Sequence, residues 1–240
     1  MDVAEHLYER TEKLISNADP VTVEKLSDAL FEIGRDLAQK NNSVLAVKWL
    51  ERAYELINSQ DMDRLSRDAL ELRLAISQSL IQVYLDMGTP DYFDRAENHI
   101  AYVESELGDK LIVLLFRLEL LHRSPAELFD SEAYGGILRR IMKTVDMSDS
   151  SFKLLMHHIR RLEEKNNMVA CSVLEEFVLT YILPHGRQHW VEKAVVFRTH
   201  MAVREGSLES IKGVEIMLDQ HQLSRGKPLP VNIAAGIQAV

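Results

Sequence analysis

The 240-residue chain carries 28 lysines and arginines against 37 aspartates and glutamates, a formal net charge of −9 at pH 7, with 46% hydrophobic and 27% charged residues. That acidity argues against a dedicated nucleic-acid grip, which needs clustered cations to displace counterions from phosphates, and the composition is that of a folded chain rather than a disordered one. The single cysteine, Cys171, excludes an intrachain disulfide and fits a reducing compartment.

The opening "MDVAEHLYER" has no apolar core of signal-peptide type and reads as helix. From there the periodicity of apolar residues predicts helices near 2 to 17, 20 to 40, 43 to 59, 63 to 87, 90 to 107, 110 to 122, 131 to 146, 149 to 165, 168 to 183, 189 to 205 and 208 to 222. Pro20, Pro90 and Pro125 follow Asp19, Thr89 and Ser124, placing a capping side chain before a proline suited to a first helical turn. Gly88, Gly108 and Gly206 each close an apolar-periodic segment, and Thr89, Asp109 and Ser207 offer caps for the next. In the fourth predicted helix Leu65, Ala69, Leu72, Ile76, Leu80, Val83 and Met87 form one stripe and Leu70, Leu74, Ile81 and Leu85 a second. A helix apolar on two faces must lie between neighbours. The most apolar run, "LIVLLFRLELL", contains Arg117 and Glu119 and is far shorter than the roughly 20 residues that span a bilayer, so it reads as a buried helix. No segment alternates with period two and no Asn-Gly or Asp-Gly hairpin signal occurs, so no sheet is expected.

The stretch "ALFEIGRDLAQKNNSVLAVKWLERAYEL" sets small residues among large ones as tetratricopeptide repeats do. Leu30, Ile33, Gly34 and Leu37 fit the first helix of a repeat and Ala46, Leu50 and Ala53 the second, with Gly34 and Ala46 permitting close approach. A second unit places Leu80, Val83 and Tyr84 on its first helix and Ala96, Ile100 and Val103 on its second. Beyond Gly108 the match fades, so the repeat is degenerate. The expected fold is all-α, a right-handed superhelical array of antiparallel helix pairs over residues 1–222, with 223–240 a linker and the start of a further helix.

Residues 26 to 206 resemble the meiosis-specific sporulation and synapsis-initiation family of tetratricopeptide proteins that act in crossover formation. The resemblance rests on the stretch just quoted, above all its "AVKWLERAYEL", on "LRLAISQSLIQVYLDMG" and on "AENHIAYVESELGDKLIVLLFRLELLHRSP". Members of that family are much longer arrays, so the ending "LSRGKPLPVNIAAGIQAV" reads as the edge of a fragment or a truncated gene product. The resemblance implies a nuclear scaffold on meiotic chromosomes whose partners are recombination and synapsis proteins. A general tetratricopeptide adaptor for trafficking or chaperone complexes, and a regulatory α-domain of an enzyme lost by truncation, are the alternatives.

No reactive constellation stands out. Gly226-Lys227 lacks the earlier glycine and the Ser or Thr of a phosphate loop. Cys171 has no second cysteine and no placed base, and reads as a core thiol. His157 and His158 are neighbours and point apart on a helix, and His185, His189 and Trp190 surround a Pro184 and Gly186 break that spoils metal-ligand spacing. "RRLEEK" at 160 to 165 reads as a solvated face. The expectation is therefore no catalytic residue, no cofactor and no metal, no sequence-specific nucleic-acid binding and no membrane span. The candidate partner-binding face, on first helices of successive pairs, consists of Asp28, Phe31, Arg35 and Gln39, then Gln78, Ile81 and Leu85. Ile81 and Leu85 fit packing against another helix equally well.

Overall fold

A computed structural model describes residues 19–61, 65–185 and 188–220. Among them the secondary structure is entirely helical, with no strand. Ten α-helices run α1 (Pro20–Gln39), α2 (Ser43–Asn58), α3 (Arg67–Met87), α4 (Pro90–Leu107), α5 (Leu111–Arg123), α6 (Ser131–Thr144), α7 (Asp149–Lys165), α8 (Asn167–Phe177), α9 (Gln188–Glu205) and α10 (Leu208–Gln220). The predicted helix over 2 to 17 and the linker over 223 to 240 lie outside the described residues. The chain divides into two compact units: residues up to Gly108 together with His122–Ser124, and Asp109–Leu121 together with the chain from Pro125.

The first unit begins where the Asp19 carboxylate accepts the Thr22 N–H at 3.1 Å and the Thr22 hydroxyl at 2.7 Å, with Pro20 in the first turn. α1 buries Val23, Ser27, Leu30, Phe31 and Gly34, and only Lys40, Asn41 and Asn42 separate it from α2. So short a connection makes the two helices antiparallel neighbours. A Cβ on Gly34 would lie 2.7 Å from Leu50 Cγ and 3.2 Å from the Leu50 backbone nitrogen, so Gly34 meets α2 at Leu50, one turn beyond Ala46, which is itself fully buried. Gly34 is therefore a packing glycine. α3 lies against α1, α2 and α4. It buries both expected stripes in part, with Ile76, Leu80 and Val83 from one and Ile81 and Leu85 from the other. It ends at Gly88, whose φ of 66° is the left-handed conformation that closes helices without a Cβ penalty. α4 then turns Ala96, Ile100 and Val103 inward.

The second unit has one continuous apolar core drawn from α5 to α10, including Leu114, Leu118, Tyr134, Leu138, Leu155, Leu174, Phe177, Trp190 and Met201. Local caps set its helices. Asp130 accepts the Ala133 N–H at 2.9 Å, Ser148 and Ser151 form a reciprocal capping box, Asn166 accepts the Val169 N–H at 3.2 Å and Ser207 the Ser210 N–H at 3.1 Å. The buried Tyr134 hydroxyl and His158 Nδ1 share a hydrogen bond of 2.8 Å, and burial pushes the tyrosine up to about 12. Arg198, 4% exposed, donates to Glu175 at 2.8 Å and to the Ser210 hydroxyl at 3.1 Å.

Three local expectations need correction. Pro125 precedes a single 3₁₀ turn, Ala126–Leu128, and α6 starts only after the Asp130 cap. Thr89 makes no side-chain cap bond although Pro90 does begin α4. The ninth predicted helix does not run evenly to 183: after Phe177 the chain widens into a π-helical turn, Val178–Ile182, where the Leu183 N–H reaches back to the Val178 carbonyl, and then tightens into a 3₁₀ turn.

Candidate protein-docking surfaces

Of the face expected to meet partners, Asp28, Arg35, Gln39 and Gln78 are exposed. Phe31, Ile81 and Leu85 are not, at 7%, 2% and 3% exposure. The assignment of those three to a solvent-facing groove is corrected: each belongs to the core of the first unit. Phe31 sits on the buried side of α1 with Leu30 and Gly34, and the Arg35 guanidinium, paired with Glu32, lies 5.5 Å from the Phe31 ring centroid and covers it. The packing alternative for Ile81 and Leu85 is the one realised.

Helices α2, α3 and α4 also line an open polar cleft formed by Glu51, Tyr54, Asn58, Tyr84, Arg95, Asn98, His99 and Tyr102. Glu51 accepts from the Tyr84 hydroxyl at 2.8 Å and from Arg95 at 3.0 Å, and burial, followed by that carboxylate, raises the Tyr84 phenol above its ordinary value. Arg73 clamps Glu106 through two bonds of 2.7 and 2.9 Å and also reaches Asn58 and the Tyr102 hydroxyl. Burial, with Arg73 as a second cause, depresses His99 to about 4, so its imidazole is neutral at physiological pH. This is a polar network, buried at Arg73 and Tyr84 and exposed at Arg95, Asn98 and Tyr102, that ties α2, α3 and α4 together.

In the second unit α7 and α9 are the first helices of successive pairs and lie against one another. Between them runs a groove of about 970 Å³. Its floor is apolar: Phe152 and Trp190 stack with ring centroids 5.4 Å apart and planes 5° from parallel, beside Met156, Val196 and Phe197. The Trp190 indole N–H donates to Asp149 at 2.9 Å, which fixes the start of α7 against α9. Lys153, His157 and Arg160 from α7 and His189, Lys193 and His200 from α9 form the exposed rim, with Asp149 and Glu192 as its carboxylates. The Arg160 guanidinium stands 5.2 Å from the Phe197 ring centroid, spanning the two helices. "RRLEEK" is thus more than a solvated face: Arg161 donates to Glu119 at 3.2 Å and Glu163, its side chain 8% exposed, accepts from Arg204 at 2.6 Å.

Sequence reasoning missed this groove because its two walls lie some forty positions apart and neither has a motif of its own. The histidines of its rim are visible in the sequence, but there they read as two unrelated features, His157 beside His158 on one helix and His189 beside the Pro184 and Gly186 break. Among the described residues no group of three or more His, Cys, Asp or Glu side chains is arranged to hold a metal, and the buried Cys171 thiol is pushed up to about 11 by its burial. No helix among the described residues is long and apolar enough to cross a membrane.

Helices packed in sequence order, with polar faces left between them, define an all-α helical-repeat protein. The family model described as "Meiosis protein SPO22/ZIP4 like" matches residues 1–240, and the chain belongs to that family of meiosis proteins. No curated protein and no solved structure matches the chain.

Proposed function

We propose that the protein is a protein–protein interaction scaffold of meiotic recombination that promotes crossover formation and chromosome synapsis, acting on meiotic chromosomes in the nucleus and without catalysis of its own. The observation that carries the reading is the meiosis-family match over the full 240 residues. The architecture supports it, because stacked helix pairs expose long faces suited to holding partners and the described residues bring no nucleophile, base and oxyanion donor together. Asp28, Arg35, Gln39 and Gln78, all exposed, are the positions of the first unit we assign to partner contact.

The test is genetic. Removing the protein from meiotic cells is expected to lower crossover number and leave homologues incompletely synapsed, while a non-meiotic cell that lacks it is unchanged. Normal crossover numbers and full synapsis in its absence would overturn the reading, and a growth or trafficking defect outside meiosis would favour the general adaptor.

A further inference from the structure

We infer that the groove between α7 and α9 is a docking site for an acidic peptide segment carrying one or two large apolar anchors. The inference rests on the scaffold reading and assigns the chemistry of one partner.

Three observations point to that occupant. The rim is cationic on a chain that is otherwise anionic: three permanent cations and three imidazoles face two carboxylates there, whereas the whole chain has 28 basic against 37 acidic residues. One of those carboxylates, Asp149, already accepts from the Trp190 indole and lies 3.7 Å from His189 Nε2. Lys153 and Lys193, one on each wall, are exposed and make no ion pair among the described residues, and Arg160 is held over Phe197 rather than by a carboxylate. An acidic segment lying between the walls would meet a cation on either side, which is the complementarity that selects a partner and steers its approach.

The floor supplies the second half of recognition. Val196 and Phe197 are half-buried at the base, with the buried Phe152, Trp190 and Met156 packed behind them, so an apolar side chain entering there meets Val196 and Phe197 on a closely packed backing. The volume, about 970 Å³, matches roughly two turns of a helix about 10 to 12 Å across. With both rims exposed, the shape is a trough that admits a continuous segment, the geometry in which an amphipathic helix lays its apolar face into a groove. Nucleic acid fits less well: the best aromatic faces are already stacked on each other and 5% and 1% exposed, leaving none free for a base, and Glu192 stands on the rim.

The experiment is selection of a random displayed peptide library on the full chain, followed by fluorescence anisotropy with the selected consensus peptide. Selected peptides are expected to be rich in Asp and Glu with Leu, Phe or Trp at helical spacing. Lys153→Glu with Lys193→Glu, both at exposed positions, should weaken the consensus peptide by about tenfold or more, while Glu192→Lys should tighten it by severalfold, with unchanged circular dichroism in both. Failure to select any peptide, a neutral or basic consensus, affinity indifferent to either change, or duplex or single-stranded DNA competing at the groove in place of peptide would overturn the proposal. The two readings separate in cells. A double lysine variant that supports normal crossovers where loss of the protein does not would sink the groove alone; acidic-peptide binding by a protein whose loss leaves meiosis intact would sink the scaffold reading alone.

Discussion

Replacing Gly34 with alanine adds one methyl group where α1 packs tightly against Leu50 of α2. That carbon would stand 2.7 Å from Leu50 Cγ and 2.8 Å from Leu50 Cδ2, against the roughly 3.5 to 4.0 Å of an ordinary carbon contact. Leu50 is fully buried and cannot swing into solvent, and its backbone nitrogen, 3.2 Å away, resists separation by side-chain movement alone. Overpacking of this kind costs about 1 to 3 kcal/mol. Alanine returns about 1 kcal/mol through its better helix propensity in a helix interior, so the net expectation is a loss of about 1 kcal/mol. The assay is urea unfolding followed by far-ultraviolet circular dichroism, comparing Gly34→Ala, Leu50→Ala and the double variant. Leu50→Ala alone should cost about 2 to 5 kcal/mol. In the double variant the new methyl enters the space that the leucine vacates, so the double should be more stable than the sum of the singles by about 1 kcal/mol or more. A Gly34→Ala protein more stable than the parent, with strictly additive effects in the double, would show that the two helices do not meet at Gly34.

His99 is held below its unfolded-state value by burial, so the unfolded chain takes up a proton that the folded one refuses between pH 6.5 and about 4. Its contribution is present above pH 6.5 and is lost as pH falls through that window, by about 3 kcal/mol at most; His99→Gln should flatten this part of a stability profile measured by urea melts, and an unchanged slope would place the acid sensitivity elsewhere. Arg198→Met should lower stability by about 1 to 3 kcal/mol, because Glu175 and the buried Ser210 hydroxyl lose their donor; a neutral thermal midpoint would contradict the network. Phe31→Ala, a core truncation, should cost about 3 to 5 kcal/mol, whereas Arg35→Ala should leave the melt within about 0.5 kcal/mol; equal effects would return Phe31 to the surface.

Helix existence was legible because it depends on neighbours in sequence. The bounds of α4 and α7 match the expected 90 to 107 and 149 to 165, where Pro90 and the Ser148 cap are local signals. Asp19 and Gly88 acted as local chemistry requires. The Ser124-Pro125 pair misled because a proline that can open an α-helix can equally open one turn of 3₁₀, and the choice lay with Asp130 five residues on. The candidate face was half legible. A helical wheel separates Arg35 and Gln39 from Leu30, yet it cannot say how wide the buried sector is, and α3, flanked by α1, α2 and α4, buries more of its circumference than one stripe. The α7–α9 groove was not legible at all, since its chemistry arises only when Arg160 meets Phe197 and Trp190 meets Asp149 across two helices.

The π turn at Val178–Ile182 has a consequence for how this chain can vary. An α-helix that takes in one surplus residue, closing it in a wider i to i+5 ring, turns everything after it by about 100° without changing its direction. Val178 and Ile182 stay in the core on either side of that step, at 0% exposure, so the core absorbs a frameshift of the hydrophobic pattern. The wider ring therefore resets the phase of the apolar pattern within this segment alone, while α9 is aimed by its own contacts: Trp190, buried in the core of the second unit, donates to Asp149 at the start of α7.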